Sequence, residues 1–169
     1  MMKLPFVEPD DDIYLNISVV LIIIYYLSST KRGVLKMNNE RIHLYDYLVR
    51  NPQKLSYVLR QLGKGNLIIN RDDYSVSSIS YNLDPLFDRD RMKYILTMLS
   101  QKKLVCVSYK SKEGFMYSLT DSGMKMVEEL EGEYFSEIKL YAQQLVSTLS
   151  INVSQLNSSL NQIITIGVV

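Results

Sequence analysis

Two stretches of this chain carry no charged side chain, and they frame everything between them. The first is Ile13 to Thr30, with a continuous apolar run from Val19 to Leu27. A segment apolar nearly all round predicts a helix buried on every side, hence the central helix of the fold. Asp10, Asp11 and Asp12 offer an N-cap and favourable first-turn charges, while Lys31, Arg32 and Gly33 mark a stop after about Ser29. The second stretch runs from Leu140 to Val169. In it Val146, Leu149, Val153, Leu156, Leu160 and Ile163 recur at alternating spacings of 3 and 4, a heptad seam among Ser, Asn, Gln and Thr. With no charges to favour self-pairing, these six positions are expected to form a partner-docking face for a helix or coiled coil. The first half of the stretch reads equally well as a last core helix with a frayed tail.

Between these stretches the periodicity is helical, then alternating, then helical again. Asn38 or Asn39 caps a helix with the stripe Ile42, Tyr45, Leu48, Val49, and Asn51-Pro52 breaks it. Pro52 suits the first position of the next helix, whose stripe is Leu55, Val58, Leu59, Leu62 and whose end is Gly63. Asp88 or Asp90 caps a third, with Met92, Ile95, Leu96 and Leu99 at i, i+3, i+4 and i+7, closed by Lys102 and Lys103. Leu104, Cys106 and Tyr109 lie among β-formers, Lys112, Glu113 and Gly114 supply a turn, and Phe115 to Leu119 return as a second strand. Asp121 is expected to cap a further helix to about Glu131, with Gly132 a hinge and another helix starting near Glu133. Tyr117-Ser-Leu-Thr120-Asp-Ser-Gly123 resembles the exit from the wing in many winged-helix proteins, a fold that binds DNA in some members and only protein in others.

The predicted fold is therefore mainly α with a small β-hairpin: a winged-helix domain with an apolar N-terminal helix and a C-terminal helical extension. Residues 1–132 form the body, with the wing at about 104–119 and an insertion at about 64–86, and residues 133–169 form the extension. Residues 1–9, holding Pro5 and Pro9, are expected to be extended. Gly63-Lys64-Gly65 departs from the G-x-x-x-x-G-K-[ST] phosphate loop, so the insertion, with its apolar Leu67-Ile-Ile69, is read as a short strand and turn rather than a nucleotide site.

Composition narrows the function classes. The 19 basic and 18 acidic residues leave a net charge of +1, where a general polyanion binder would be more basic. Charge is nevertheless segregated. Residues 89–112 hold Arg89, Arg91, Lys93, Lys102, Lys103, Lys110 and Lys112 against Asp90, a net of +6. Residues 121–137 hold Asp121, Glu128, Glu129, Glu131, Glu133 and Glu137 against Lys125, a net of −5. The seven cations are the candidate DNA-contacting set, through phosphates and so without reading sequence; a solvated charged face is the plainer alternative. Cys106, the single cysteine, cannot form an internal disulfide and is expected in the core. His43 is the single histidine, and no catalytic or metal-binding motif accompanies it, so no enzyme activity, cofactor or metal is expected. Residues 1–12 set Lys3 against Glu8, Asp10, Asp11 and Asp12, which argues against a secretory signal. Asn16 and Ser18 interrupt the apolar run, favouring a helix buried in a cytoplasmic protein over a membrane span.

Three further stretches carry a resemblance: Lys3-Leu-Pro-Phe-Val-Glu-Pro-Asp-Asp-Asp12, Met37-Asn-Asn-Glu-Arg41 and Asn82-Leu-Asp-Pro-Leu-Phe-Asp-Arg-Asp90, each leading into a helix. The whole chain resembles the small middle components of bacterial ABC-ATPase three-component systems, the group that includes the Lamassu anti-phage systems. The likeness is one of overall pattern and brings no active site with it. It implies a non-catalytic adaptor linking an SMC- or Rad50-like ATPase to an effector, often a nuclease, in a hetero-oligomer that meets double-stranded DNA as a complex. The alternatives are a stand-alone winged-helix DNA-binding transcriptional regulator and a small protein anchored in a membrane by residues 13–30.

Overall fold

The computed structural model describes residues 12–65 and 88–166. Among them are seven α-helices and one antiparallel hairpin: α1 (Ile13–Leu27), α2 (Asn39–Arg50), α3 (Pro52–Gln61), α4 (Arg89–Gln101), β1 (Val105–Lys110), β2 (Gly114–Leu119), α5 (Asp121–Glu129), α6 (Glu133–Leu145) and α7 (Val153–Ile166). The expected insertion, apart from its first two residues, and the expected extended N-terminus lie outside the described residues.

Local chemistry sets most boundaries. Asp12 caps α1 through its carboxylate, which accepts from the Tyr14 and Leu15 amides. Asn38 caps α2 and Asp88 caps α4 in the same way, each accepting from the amide three residues on. Pro52 opens α3 where its missing N–H costs nothing. Gly63, at φ +64°, closes α3: its amide bonds to Arg60 O and the Lys64 amide to Leu59 O. The Gly-Lys-Gly run is thus a helix stop. Lys103 fills the same left-handed role after α4 at φ +56°, without the freedom of a glycine. Asp121 is not the cap expected for α5. Thr120 takes that place, its hydroxyl accepting from the Gly123 amide at 3.1 Å and donating to Lys103 O at 2.8 Å, and α5 ends at Glu129.

Helix α1 is the centre. Val19 through Ile24 and Leu27 have no exposed surface, each burial worth about 1.5–3 kcal/mol, and α2, α4, α5, α6 and β2 surround them. Among the described residues no helix is long and apolar enough to cross a membrane. The predicted stripes of α2 and α4 are all buried, as are Leu55, Val58 and Leu59 of α3.

The hairpin pairs Val105 with Leu119 through Lys110 with Gly114. Its inner strand β2 also meets the segment before α2, through an Asn38–Met116 bridge and a bond from the Tyr117 amide to Met37 O at 2.8 Å. Strand β1 is left outermost, with only Val105 buried. Cys106 is accordingly exposed, a correction to its expected place in the core: alternation buries a strand residue only where another element covers that face.

The C-terminal stretch holds the largest correction. It is not one helix, because α6 ends at Leu145, a 3₁₀ turn follows at Val146–Thr148, and α7 starts afresh at Val153. Hydroxyls and amides drive the break. Ser147 and Thr148 donate to Gln144 O and Leu145 O, and Asn152 accepts from the Gln155 amide as a new cap. Arg41 of α2, itself buried, donates to Ile151 O at 2.7 Å and to Tyr45 OH at 3.0 Å, and Tyr45 OH pairs with Thr148 Oγ1 at 2.7 Å. Chain direction therefore changes, and α7 packs on α3 and α2. Leu149, Leu156, Leu160 and Ile163 are buried in the same core as α1, Val153 is half-buried, and only Val146 is exposed. The seam is filled by the chain's own body.

Candidate functional site

The basic segment forms α4 and the hairpin, and these border a groove. It measures about 660 Å³ and lies between α4, the N-terminal turns of α2, the hairpin and α7. Met92 and Leu96 of α4, Val107 and Phe115 of the hairpin and Leu160 of α7 provide its apolar surface. Arg89 and Lys93, one turn apart on α4, stand on its margin with Glu40 and Asp90. The hairpin face is open apolar surface: Val107 is 44%, Tyr109 67% and Phe115 54% exposed. Tyr109 and Phe115 meet edge to face with ring centroids 5.5 Å apart.

The seven candidate cations do not form one patch. Arg89 and Lys93 are together, but Lys102 and Lys103 lie past the other end of a 13-residue helix, about 20 Å away at 1.5 Å per residue. Lys112 is in the hairpin turn, and Lys110 is tied down, its ammonium 3.3 Å from Leu35 O and 3.7 Å from Glu113 Oε2. Arg91 turns inward. Its guanidinium donates to Asp46 Oδ2 at 2.8 Å and to Asn16 Oδ1 at 3.0 Å, and Asp46 also accepts from Arg50 Nε at 2.9 Å. Asp46 is almost wholly buried, so this cation balances a core carboxylate and joins α1, α2 and α4. The i, i+4 pair Asp46/Arg50 was visible in sequence; the third partner was not, because it arrives from 45 residues away.

The Tyr117–Gly123 segment is a packing device. Thr120 caps α5 and ties it to Lys103 O, and its amide bonds to Leu104 O at 3.1 Å. Gly123 passes so close to Leu104 that a Cβ there would overlap that same carbonyl oxygen, so Gly is required by contact and not by φ. Tyr117 is held by burial above its ordinary pKa, partly offset by a hydrogen bond with Asn39. Burial likewise raises Tyr45, against the lowering effects of Arg41 and Thr148. Neither is poised for acid–base chemistry near neutrality.

A second, shallower cleft of about 710 Å³ was not foreseen. It separates the α1–α2 loop from the turn after α6, and Lys31, Arg32 and Lys36 line it. Its sequence signal is three cations within six residues around Gly33, two of which, Lys31 and Arg32, also suit a helix stop.

The family model for ABC-three component (ABC-3C) system Middle Component 4, MC4, matches residues 27–158. The chain belongs to this family. The matched span opens at the last residue of α1, includes α2 through α6 and closes inside α7. No curated protein and no solved structure gives a significant match. As an ABC-3C middle component the chain is part of a multi-component system, which implies partner proteins. The apolar hairpin face lies inside the MC4 span, as do both clefts apart from Tyr26, Leu160 and Asn161.

Proposed function

We propose that this MC4 protein is a non-catalytic adaptor, a winged-helix body that bridges an SMC- or Rad50-like ABC ATPase and an effector, with nuclease chemistry in the effector, in an anti-phage or anti-plasmid defence complex. The family match across residues 27–158 carries the reading. The surface supports it: the exposed stripe of Val107, Tyr109 and Phe115 on an outer strand and its neighbour is the kind of contiguous apolar patch that marks protein contact. The α2–α3–α4–hairpin–α5 order is that of a winged helix, and Arg89, Lys93, Lys102, Lys103 and Lys112 remain available for phosphate contact within the complex. The inward turn of Arg91 and the scatter of the other cations weigh against a stand-alone DNA-binding regulator.

Co-expression with the proposed ATPase and effector subunits of its ABC-3C system tests this. The expected result is a complex of all three that persists through size-exclusion chromatography and loses one partner when Tyr109 and Phe115 are both changed to Ser. An ATPase–effector complex that forms without this chain, while the chain elutes alone, overturns the adaptor reading. Truncation of residues 140–169 is a poor test, since it removes Leu149, Leu156, Leu160 and Ile163 from the core.

A further inference from the structure

The cleft between the α1–α2 loop and the turn after α6 is a prebuilt surface. On one side the loop is a miniature hairpin closed by a Ser29–Leu35 bridge. The Thr30 amide bonds to Val34 O at 2.9 Å and the Gly33 amide to Thr30 O at 2.8 Å, so Lys31 and Arg32 occupy the tip of a tight turn. Gly33 makes that turn possible at φ +76°. On the other side, Ser147 and Ser150 sit on the 3₁₀ turn and its continuation, which the buried Arg41–Tyr45–Thr148 network holds from within.

Its chemistry is one-sided. Among the described residues, three cations and the hydroxyls of Ser29, Thr30, Ser147 and Ser150 line the cleft, and no carboxylate does. Among the described residues no ion pair involves Lys31, Arg32 or Lys36. The C-terminus of α1 accounts for a cation near Ser28, but not for three of them around an apolar floor. That floor is Tyr26, Val34, Val146 and Leu149, with Val34 47% and Val146 41% exposed. Val146 is also the one exposed member of the heptad seam.

We propose that this cleft docks an acidic segment with apolar anchors belonging to a partner subunit of the ABC-3C system; the proposal rests on the adaptor reading and adds where, and by what chemistry, one partner is held. Carboxylates meet Lys31, Arg32 and Lys36, while side chains such as Leu or Phe cover Val34 and Val146. A protein segment fits better than a nucleic acid. A phosphate backbone would leave the apolar floor uncovered, and tight phosphate binding draws on more cations than three. Because both walls are already ordered, little conformational entropy is lost on docking.

The test uses the full chain with the two purified partner subunits. Lys31→Glu with Arg32→Glu reverses the rim, Val146→Asp puts an anion on the floor, and Lys125→Glu on α5 is the control. All four positions are exposed, and unchanged melting curves confirm the fold. The rim and floor variants are each expected to weaken binding of one partner at least about tenfold, with the rim effect shrinking as salt rises, while the control binds normally. Hydrogen exchange in the unaltered complex is expected to slow at residues 29–36 and 146–150. Equal binding by the rim and floor variants overturns the proposal and leaves the adaptor reading standing. If the rim variant keeps its partners but loses a short DNA duplex, the cleft is a nucleic-acid site; if it changes only self-association, the occupant is a second copy; either result overturns the proposal. No complex with the unaltered chain removes the adaptor reading and this one together.

Discussion

Changing Gly123 to Ala adds one methyl group to the first turn of α5, where helix propensity alone would favour it by about 1 kcal/mol. The structure reverses the sign. The new Cβ overlaps the Leu104 carbonyl oxygen, with the carbonyl carbon 3.1 Å and Leu119 Cδ2 3.3 Å away. A backbone carbonyl cannot step aside, and this one is also fixed by the Thr120 amide at 3.1 Å. Relief requires the start of α5 to lift off, loosening the Thr120 cap and its bond to Lys103 O, each worth about 1 kcal/mol. Overpacking adds about 1–3 kcal/mol. Setting these costs against the propensity gain leaves a net loss of about 2–4 kcal/mol. In urea, with a slope of about 2 kcal/mol per molar, the midpoint should fall by about 1–2 M. Ser122→Ala, exposed in the same turn, is the control and should stay within about 0.5 kcal/mol. A Gly123→Ala protein as stable as the parent, or more stable, would refute the close approach of α5 to Leu104 and with it the packing role of the Tyr117–Gly123 segment.

Arg91→Ala should cost about 3 kcal/mol by stripping a buried carboxylate of one of its two cations, whereas Lys93→Ala should change stability by less than about 0.5 kcal/mol; equal melting temperatures would show that Asp46 does not depend on Arg91. Lys103→Gly should stabilise the protein by about 1 kcal/mol, since it relieves a left-handed residue at φ +56°, and a lowered thermal midpoint would contradict this. Tyr45 stays protonated in the fold beyond its ordinary pKa of 10.0, so the unfolded chain loses that proton first. Stability is therefore full below pH about 10 and falls as pH rises toward the folded value. Tyr45→Phe should cost about 1–3 kcal/mol at neutral pH and flatten the alkaline decline; urea midpoints of equal slope above pH about 10 in both proteins would count against it.

Helix positions were legible because their signals are local. Asn38, Asp88 and Pro52 start helices where their side chains satisfy or spare orphan amides, and the stripes of α2 and α4 face the core at the expected spacing. The errors fall where a local rule needs a distant neighbour. Thr120 and Asp121 are both good caps, and contact with Lys103 O selects Thr120. Cys106 alternates as a buried residue would, but among the described residues no element covers its face of β1. Of the candidate surfaces, the basic segment was visible as a count of charges and its dispersal was not. The second cleft was invisible as a unit, because its walls are more than 100 residues apart in the chain.

What the sequence determined by itself is the inventory: where helices begin and end, which of their faces are apolar, that one hairpin stands between α4 and α5, and the pattern that identifies an ABC-3C middle component. Those properties follow from side chains acting on their own backbone within a few residues. Tertiary structure decided what each face meets. It turned Arg91 toward Asp46, left Cys106 in solvent, broke the C-terminal helix at Thr148 through Arg41 and Tyr45, and filled the heptad seam from within. The reason is physical: an apolar stripe or a charge specifies the kind of partner it needs, while which partner it gets depends on the chain's path through space.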